Sequence, residues 1–204
     1  MMIDMATYLL PVVKEFENKY PNVKCLVEPV DHDSLFNGLI TGKYDLSFVS
    51  DSSELFAKRA GLTFTHIIDG KACLIISENH PLFNKKDLTV EDLKNERIVA
   101  LDSGYSDYKK RTFSIYERYG FPMKDVTIVP TAASAEFELK KGNCIALFNS
   151  AYASKRIDVR AVEIDELSAD EKGFGFGIVY DPSRLTQNKK KFIGSVEKHF
   201  AKTQ

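Results

Sequence analysis

The chain has 204 residues, 44% of them hydrophobic and 28% charged, and its formal net charge is -1. This composition is typical of a folded globular protein, and the length suits one large domain or two lobes of about 100 residues each. The balanced charge argues against a protein that grips nucleic acid through phosphates, and no apolar run reaches the ~18 residues that span a bilayer. Because the first ten residues also lack the pattern of a secretion signal, we expect a cytoplasmic protein with no membrane span.

Hydrophobic periodicity and turn residues predict an alternation of helices and strands along the whole chain. In chain order, the predicted elements are a helix over 9–20, a strand over 23–29, a helix over 35–41, strands over 44–49, 62–68 and 72–77, a short helix over 89–95, a strand over 97–101, a helix over 106–120, a strand over 125–130, a helix over 134–142, strands over 144–148, 158–164 and 175–180, and a helix over 188–200.

Local signals mark several of these boundaries. Pro11 suits the first turn of the first helix, and Asp33 or Ser34 is the predicted cap of the second, which Gly42 ends. Residues 50–61 are predicted to be a polar loop. Short strands alternating with helices indicate an α/β architecture with mixed, mostly parallel sheets, in which ligands bind beside helix starts at the carboxyl ends of strands.

Catalytic and metal-binding patterns are weak in this sequence. The four histidines lack a second histidine or cysteine at metal-ligand spacing, and no phosphate-binding or nucleophile motif occurs, so we predict no metal, no cofactor and no enzymatic activity. Asp31 and Asp33 are either an acid and base pair or, more commonly for such loop carboxylates, caps and solvated turn residues. His66 and Cys73 lie in apolar runs and are predicted to be packing residues.

The three cysteines, Cys25, Cys73 and Cys144, lie far apart in apolar runs. An odd number without close spacing predicts buried, reduced thiols and no disulfide framework.

Four motifs stand in order along the chain: "YLLPVVKEFENKYPNVKCLVE", "LFNGLITGKYDLSFV", "ENHPLFNKKDLTVEDLKNERIVAL" and "FELKKGNCIALF". Together they resemble the effector-binding domain of LysR-type transcriptional regulators. The resemblance covers nearly the whole chain and implies a two-lobed fold like that of the type 2 periplasmic binding proteins. Residues 1–70 plus 172–204 would form a discontinuous first lobe and residues 71–171 the second, with a small effector in the cleft between them.

The resemblance also implies partners. Family members dimerise through the first helix and the following strand, here residues 7–29, and the full-length proteins form tetramers that bind DNA through an N-terminal helix-turn-helix domain. By the same resemblance, we expect this chain to lack that domain and the first strand of lobe I, since only residues 1–3 stand in the place of that strand.

Carried over position by position, the family's effector contacts fall in loops that lead into helices. The implied effector-binding residues are Met5, Ala6, Asp31, His32, Asp33, Ser50, Asp51, Ser103, Gly104, Tyr105 and Thr131. Phe148 and Asn149 stand where the family often has Leu-Pro.

The charge of these loops suggests the class of effector. Asp31, Asp33, Asp51 and Asp102 would repel a simple anion if they bordered one small site. The effector is therefore predicted to carry an amine or to be polyhydroxylated, unless a protonated His32 supplies an anion contact. The competing function is a free-standing solute-binding protein of a transporter with the same fold, which would normally begin with a signal peptide or a lipid-attachment cysteine.

Overall fold

A computed structural model describes residues 5–101, 108–150, 157–163 and 175–201. Seven α-helices lie within these ranges: α1 Met5–Lys19, α2 His32–Thr41, α3 Glu54–Arg59, α4 Val90–Leu93, α5 Tyr108–Arg118, α6 Ala132–Lys140 and α7 Gln187–Phe200. The strands in the same ranges are β1 Ser47–Ser50, β2 Thr63–Ile68, β3 Ala72–Ser77, β4 Ile98–Leu101, β5 Val126–Val129, β6 Ala146–Asn149, β7 Val159–Glu163 and β8 Phe176–Tyr180. None of the described helices is long and apolar enough to cross a membrane.

The chain divides into two compact units. Unit 1 consists of Met1–Asp69 and Gly175–Gln204, and unit 2 is the intervening segment Gly70–Phe174. Unit 1 is therefore built from two segments that are far apart in sequence.

Unit 1 contains a three-stranded sheet in which β8 lies between β1 and β2 and is antiparallel to both. Its apolar core lies where α2 and α3 pack on this sheet, and it includes Leu35, Phe36, Leu39, Val49, Ala57, Leu62 and Val179. Helices α1 and α7 are joined by aromatic contacts, since the rings of Phe16 and Phe192 meet edge to face at 5.1 Å. The second segment of unit 1 is thus held by both a central strand and a helix pair.

Unit 2 has a second apolar core around strand β3, whose six residues are all buried. Strand β3 lies between β6 and β7 and is antiparallel to both, whereas β4 and β5, which are connected through α5, are parallel. The α/β class is confirmed, but the pairing among the described strands is mixed and not mostly parallel. A crossover helix makes its two strands parallel, while β7 and β8 return from distant parts of the sequence and run antiparallel to their neighbours.

The strand predicted over residues 23–29 does not form. In the described part of the chain no strand pairs with this segment, Leu26 is 94% exposed, and the Cys25 amide donates to Glu17 Oε1 at 2.7 Å. Apolar residues favour a strand only where a neighbouring strand accepts their backbone hydrogen bonds. The segment has no regular secondary structure and carries exposed apolar side chains.

Other local predictions were wrong in detail. Pro11 lies inside α1 and not in its first turn, because the helix begins at Met5. The predicted polar loop over 50–61 contains a 3-10 turn, Asp51–Ser53, followed by α3. Helix α6 begins at Ala132, two residues earlier than predicted. Of the cysteines, Cys73 and Cys144 are buried free thiols as predicted, with pKa values that burial raises to about 12 and about 11, while Cys25 is only half-buried.

Candidate functional site

Asp31 caps α2 and is the first residue of the candidate site in unit 1. Its Oδ1 accepts the Ser34 N–H at 2.9 Å and its Oδ2 accepts the Ser34 hydroxyl at 2.6 Å, which lowers the pKa of the Asp31 carboxyl. The predicted caps, Asp33 and Ser34, were therefore wrong, although Ser34 takes part as the donor. Because both Asp31 oxygens accept hydrogen bonds at the helix start, this carboxylate acts as the cap of α2.

His32 is the first helical residue of α2 and links two loops of unit 1. Its Nε2 lies 3.0 Å from the Ser53 hydroxyl oxygen, and Ser53 is itself only 2% exposed. The His32 ring packs against Phe36 at 4.7 Å between centroids and against Phe56 at 6.3 Å. The contact with Ser53 joins the loop before α2 to the 3-10 turn Asp51–Ser53.

Burial lowers the pKa of His32, and the opposing charges of Asp33 and Asp31 do not overcome it. The lowered pKa favours a neutral imidazole near pH 7. This direction argues against a protonated His32 as an anion contact.

The turn after β1 is rich in hydroxyl groups. Ser50 and Ser52 are hydrogen-bonded through their hydroxyls, and Ser53 contacts His32. Asp51 lies in the same turn; its side chain is 13% exposed, and its Oδ1 is 3.0 Å from His66 Nδ1. Neither residues 30–34 nor residues 50–53 include a lysine or an arginine. The polar surface of this part of unit 1 is made of hydroxyls, carboxylates and a neutral imidazole.

In unit 2, Thr131 caps α6. Its hydroxyl oxygen accepts the Ser134 N–H at 3.1 Å and lies 2.8 Å from the Ser134 hydroxyl. The amides of a helix's first turn lack acceptors within the helix, and the helix dipole adds a partial positive charge there. Thr131 therefore stands beside the donor end of a nine-residue helix.

Some predicted site residues have no described side-chain environment. Met5 and Ala6 lie at the start of α1, where the backbone alone is described. Ser103, Gly104 and Tyr105, together with Asp102, lie outside the described residues. The structure thus brings together Asp31, His32, Ser50 and Asp51 through their loops in unit 1 and places Thr131 in unit 2.

Two polar residues of unit 1 were not predicted as members of the site. Ser53 belongs to the candidate site because it contacts His32, which is 21 positions away, and no local sequence signal indicates that contact. His66 was predicted to be a packing residue, but its side chain is 43% exposed and contacts two carboxylates. The alternation along β2, in which Ile67 is buried, places His66 on the opposite face.

Among the described residues, no group of three or more histidine, cysteine, aspartate or glutamate side chains is arranged to hold a metal ion. The cluster around His32 and Ser50–Ser53 is suited to hydrogen bonding with a small polar molecule.

Comparisons with known proteins agree with this picture. A family model described as the LysR substrate binding domain matches residues 3–201. The chain is similar to a probable RuBisCO transcriptional regulator of Phaeodactylum tricornutum, with 27% identity over 164 residues that cover 78% of this chain and 53% of the relative. It is also similar to the HTH-type transcriptional regulator CysB of Haemophilus influenzae, with 26% identity over 132 residues that cover 62% of this chain and 40% of the relative. The chain spans about half the length of these curated relatives, or less.

The fold is shared with solved structures. The regulatory domain of CcmR from Synechocystis PCC6803, in complex with 2-PG, aligns with a TM-score of 0.69 and 17% identity, covering 97% of this chain and 94% of that one. Identity this low shows a common fold and no more.

Proposed function

We propose that this chain, which belongs to the LysR substrate binding domain family, senses a small-molecule effector on behalf of a LysR-type transcriptional regulator. The observation that carries the proposal is the family match over residues 3–201, together with a polar cluster at the start of α2 and in the turn after β1. The curated relatives described above are transcriptional regulators, which favours this function over a free-standing solute-binding protein. Such a regulator would act in the cytoplasm and contact DNA through a separate domain.

The proposed effector contacts are those carried over from the family, with one addition. They are Met5, Ala6, Asp31, His32, Asp33, Ser50, Asp51, Ser103, Gly104, Tyr105 and Thr131, and we add Ser53 because it holds the His32 ring. Hydroxyls and a neutral imidazole donate and accept hydrogen bonds without carrying charge. The part of this set in unit 1 is therefore suited to hydroxyl or amine groups of an effector.

The effector class follows from charge. The loops 30–34 and 50–53 hold three aspartates and no lysine or arginine. Asp31 accepts hydrogen bonds from Ser34 and Asp51 is in contact with His66, which weakens the repulsion of an anion without reversing it. We therefore expect a polyhydroxylated or amine-bearing effector to bind better than a simple dicarboxylate.

Thermal denaturation tests this proposal on the chain as it stands. The ligands are 2-PG, a neutral sugar such as ribose, a polyamine such as spermidine and a dicarboxylate such as succinate, each titrated against the wild type and His32→Ala. A molecule that binds only the folded state raises Tm with concentration. We expect a rise with the sugar or the polyamine, and a much smaller rise in His32→Ala.

Ser195→Ala is the matched control, because its hydroxyl donates to Lys191 O within α7. It should respond to ligands as the wild type does. A rise in Tm with succinate alone that is undiminished in His32→Ala would overturn the assigned effector class. An equal dependence of Tm on ligand concentration in the wild type, His32→Ala and Ser195→Ala, for every ligand, would argue against the proposed site.

The second part of the proposal concerns assembly. We infer that residues 7–29 form a dimer interface, as in the family. Support comes from the exposed apolar side chains in this region: Leu10 is 50%, Leu26 94% and Val27 49% exposed. Large apolar side chains that remain exposed are found at surfaces that bind another protein.

A further inference from the structure

A histidine between two carboxylates lies where the chain leaves unit 1. His66 Nδ1 is 3.0 Å from Asp51 Oδ1, and His66 Nε2 is 3.0 Å from Asp69 Oδ1. Asp69 is the last residue of the first segment of unit 1, and Gly175 is the first residue of the second segment. The cluster thus connects the turn after β1 to the end of β2, beside the point at which β8 begins.

The backbone around this cluster is closely fitted. The Asp51 N–H donates to Gly175 O at 3.0 Å. A Cβ atom at Gly175 would lie 2.6 Å from Asp51 Oδ2, 2.6 Å from His66 Cε1 and 2.3 Å from Ile68 O. The turn after β1, the end of β2 and the start of β8 therefore meet with no space for even one additional methyl group.

We propose that His66 is a positioning residue which, when protonated, fixes the turn Asp51–Ser53 to the ends of β2 and β8, and which loosens that turn when it loses its proton. An imidazolium donates from both ring nitrogens and so satisfies both carboxylates at once. A neutral imidazole has one N–H, so the carboxylate facing its other nitrogen loses its hydrogen bond. The consequence for ligand binding rests on the proposed function, since it requires that this turn contact the effector. The contacts of His66 with Asp51 and Asp69 themselves require no effector.

The electrostatic surroundings give the direction of the pH effect. Burial lowers the pKa of His66, but the hydrogen bonds and charges of Asp51 and Asp69 outweigh burial, and the net pKa is raised above its usual 6.5. Burial also raises the pKa of Asp51 above its usual 3.8, against the opposing effect of His66, and Glu54 adds to the rise. Glu54 is itself paired with Lys58 Nζ at 2.7 Å.

These shifts act in separate pH windows. Since the folded His66 has the higher pKa, its stabilisation is complete below pH 6.5 and is lost as the pH rises through the folded-state value. The raised pKa of Asp51 likewise contributes stability that is lost as the pH rises, but this loss begins near pH 3.8, in a more acidic window. A change in the turn near neutral pH therefore reports on His66.

NMR of the effector-free chain tests the proposal from about pH 5.5 to about pH 8.5, a window that brackets the ordinary histidine pKa. The two observables are the imidazole C–H shift of His66 and the hydrogen-exchange protection of the Asp51 amide, corrected for the intrinsic pH dependence of exchange. In the wild type we expect His66 to titrate with a pKa above its usual 6.5. The Asp51 protection should fall about threefold over the same pH interval, the scale of a partly exposed ion pair.

Two variants sharpen the test. His66→Gln should show the low protection at every pH, because glutamine cannot become charged. His199→Gln, which replaces a histidine on α7 whose ring packs on Phe200 at 5.1 Å, should behave as the wild type. Asp51 protection in the wild type that does not change with pH, or that is matched by His66→Gln in acid, would overturn the proposal. The wild-type titration remains decisive if His66→Gln folds poorly, and no result depends on finding an effector.

Discussion

Gly175 shows how strongly a single residue constrains unit 1. Any side chain there would collide with Ile68 O and with the Asp51 carboxylate, at 2.3 and 2.6 Å from the added carbon. Ile68 O is a backbone atom that cannot move away without disturbing the sheet, and moving the Asp51 carboxylate would break its contact with His66 Nδ1. The absence of a side chain at this position is a requirement of the His66 cluster.

We therefore predict that Gly175→Ala lowers the free energy of unfolding by about 2 kcal/mol, the usual scale of overpacking. Gly194→Ala is the matched control, because Gly194 lies within α7 and a Cβ there meets no atom within 4 Å. Alanine is the better helix former, so this change should raise the free energy of unfolding by about 0.5–1 kcal/mol. Urea denaturation of both variants measures the two effects, and equal effects would contradict the assignment of strain to Gly175.

At the scale of elements, the carboxyl end of α2 is stabilised both by its own terminal glycine and by a side chain that is distant in sequence. Gly42 adopts a φ of +83° and donates its N–H to Leu39 O, the left-handed termination that the sequence predicted. From the second segment of unit 1, Arg184 Nη1 donates to Ile40 O at 3.0 Å, while its Nε lies 3.4 Å from Asp181 Oδ2. A positive group at the carboxyl end of a helix also complements the helix dipole.

Arg184→Ala should accordingly destabilise the chain. We expect the free energy of unfolding to fall by about 1 kcal/mol. A hydrogen bond from a charged group contributes more than that in a buried site, but the Arg184 side chain is 45% exposed. Lys190→Ala, an exposed position of α7, serves as the control and should change stability by less than about 0.5 kcal/mol. Chemical denaturation measures the free energy of unfolding. An Arg184→Ala variant as stable as the wild type would show that Gly42 alone satisfies the helix end.

The elements also show what sequence can and cannot predict. The end of α2 at Gly42 depends on residues within a few positions, and that prediction was confirmed. The strand at 23–29 was wrong because strand formation depends on a distant partner that local periodicity cannot supply. For the candidate site, the loops at 31–33 and 50–51 were predicted through the family resemblance, whereas Ser53 and His66 emerge only when the fold brings residues 21 and 15 positions apart into contact.

For the whole molecule, the family resemblance and the α/β fold are both confirmed by the comparisons. The non-local architecture follows from β8, which returns after more than a hundred residues to lie between β1 and β2. No local pattern encodes that pairing. The same pairing places Gly175 beside Asp51, so the proposed role of His66 depends on topology and not on any contiguous motif.

Assembly is the property of the whole molecule that the exposed apolar residues predict. If residues 7–29 form the dimer interface, Leu26→Asp should weaken dimerisation at least tenfold, or ~1.4 kcal/mol, because a carboxylate would be desolvated without a partner. Leu26 is 94% exposed, so the change opens no cavity in unit 1. Leu55→Asp is the matched control: Leu55 is an exposed leucine of α3, outside the proposed interface, and its replacement should leave the dimer constant unchanged. Sedimentation velocity over a range of concentrations measures both. A monomer at every concentration, or equal weakening by the two changes, would exclude this interface.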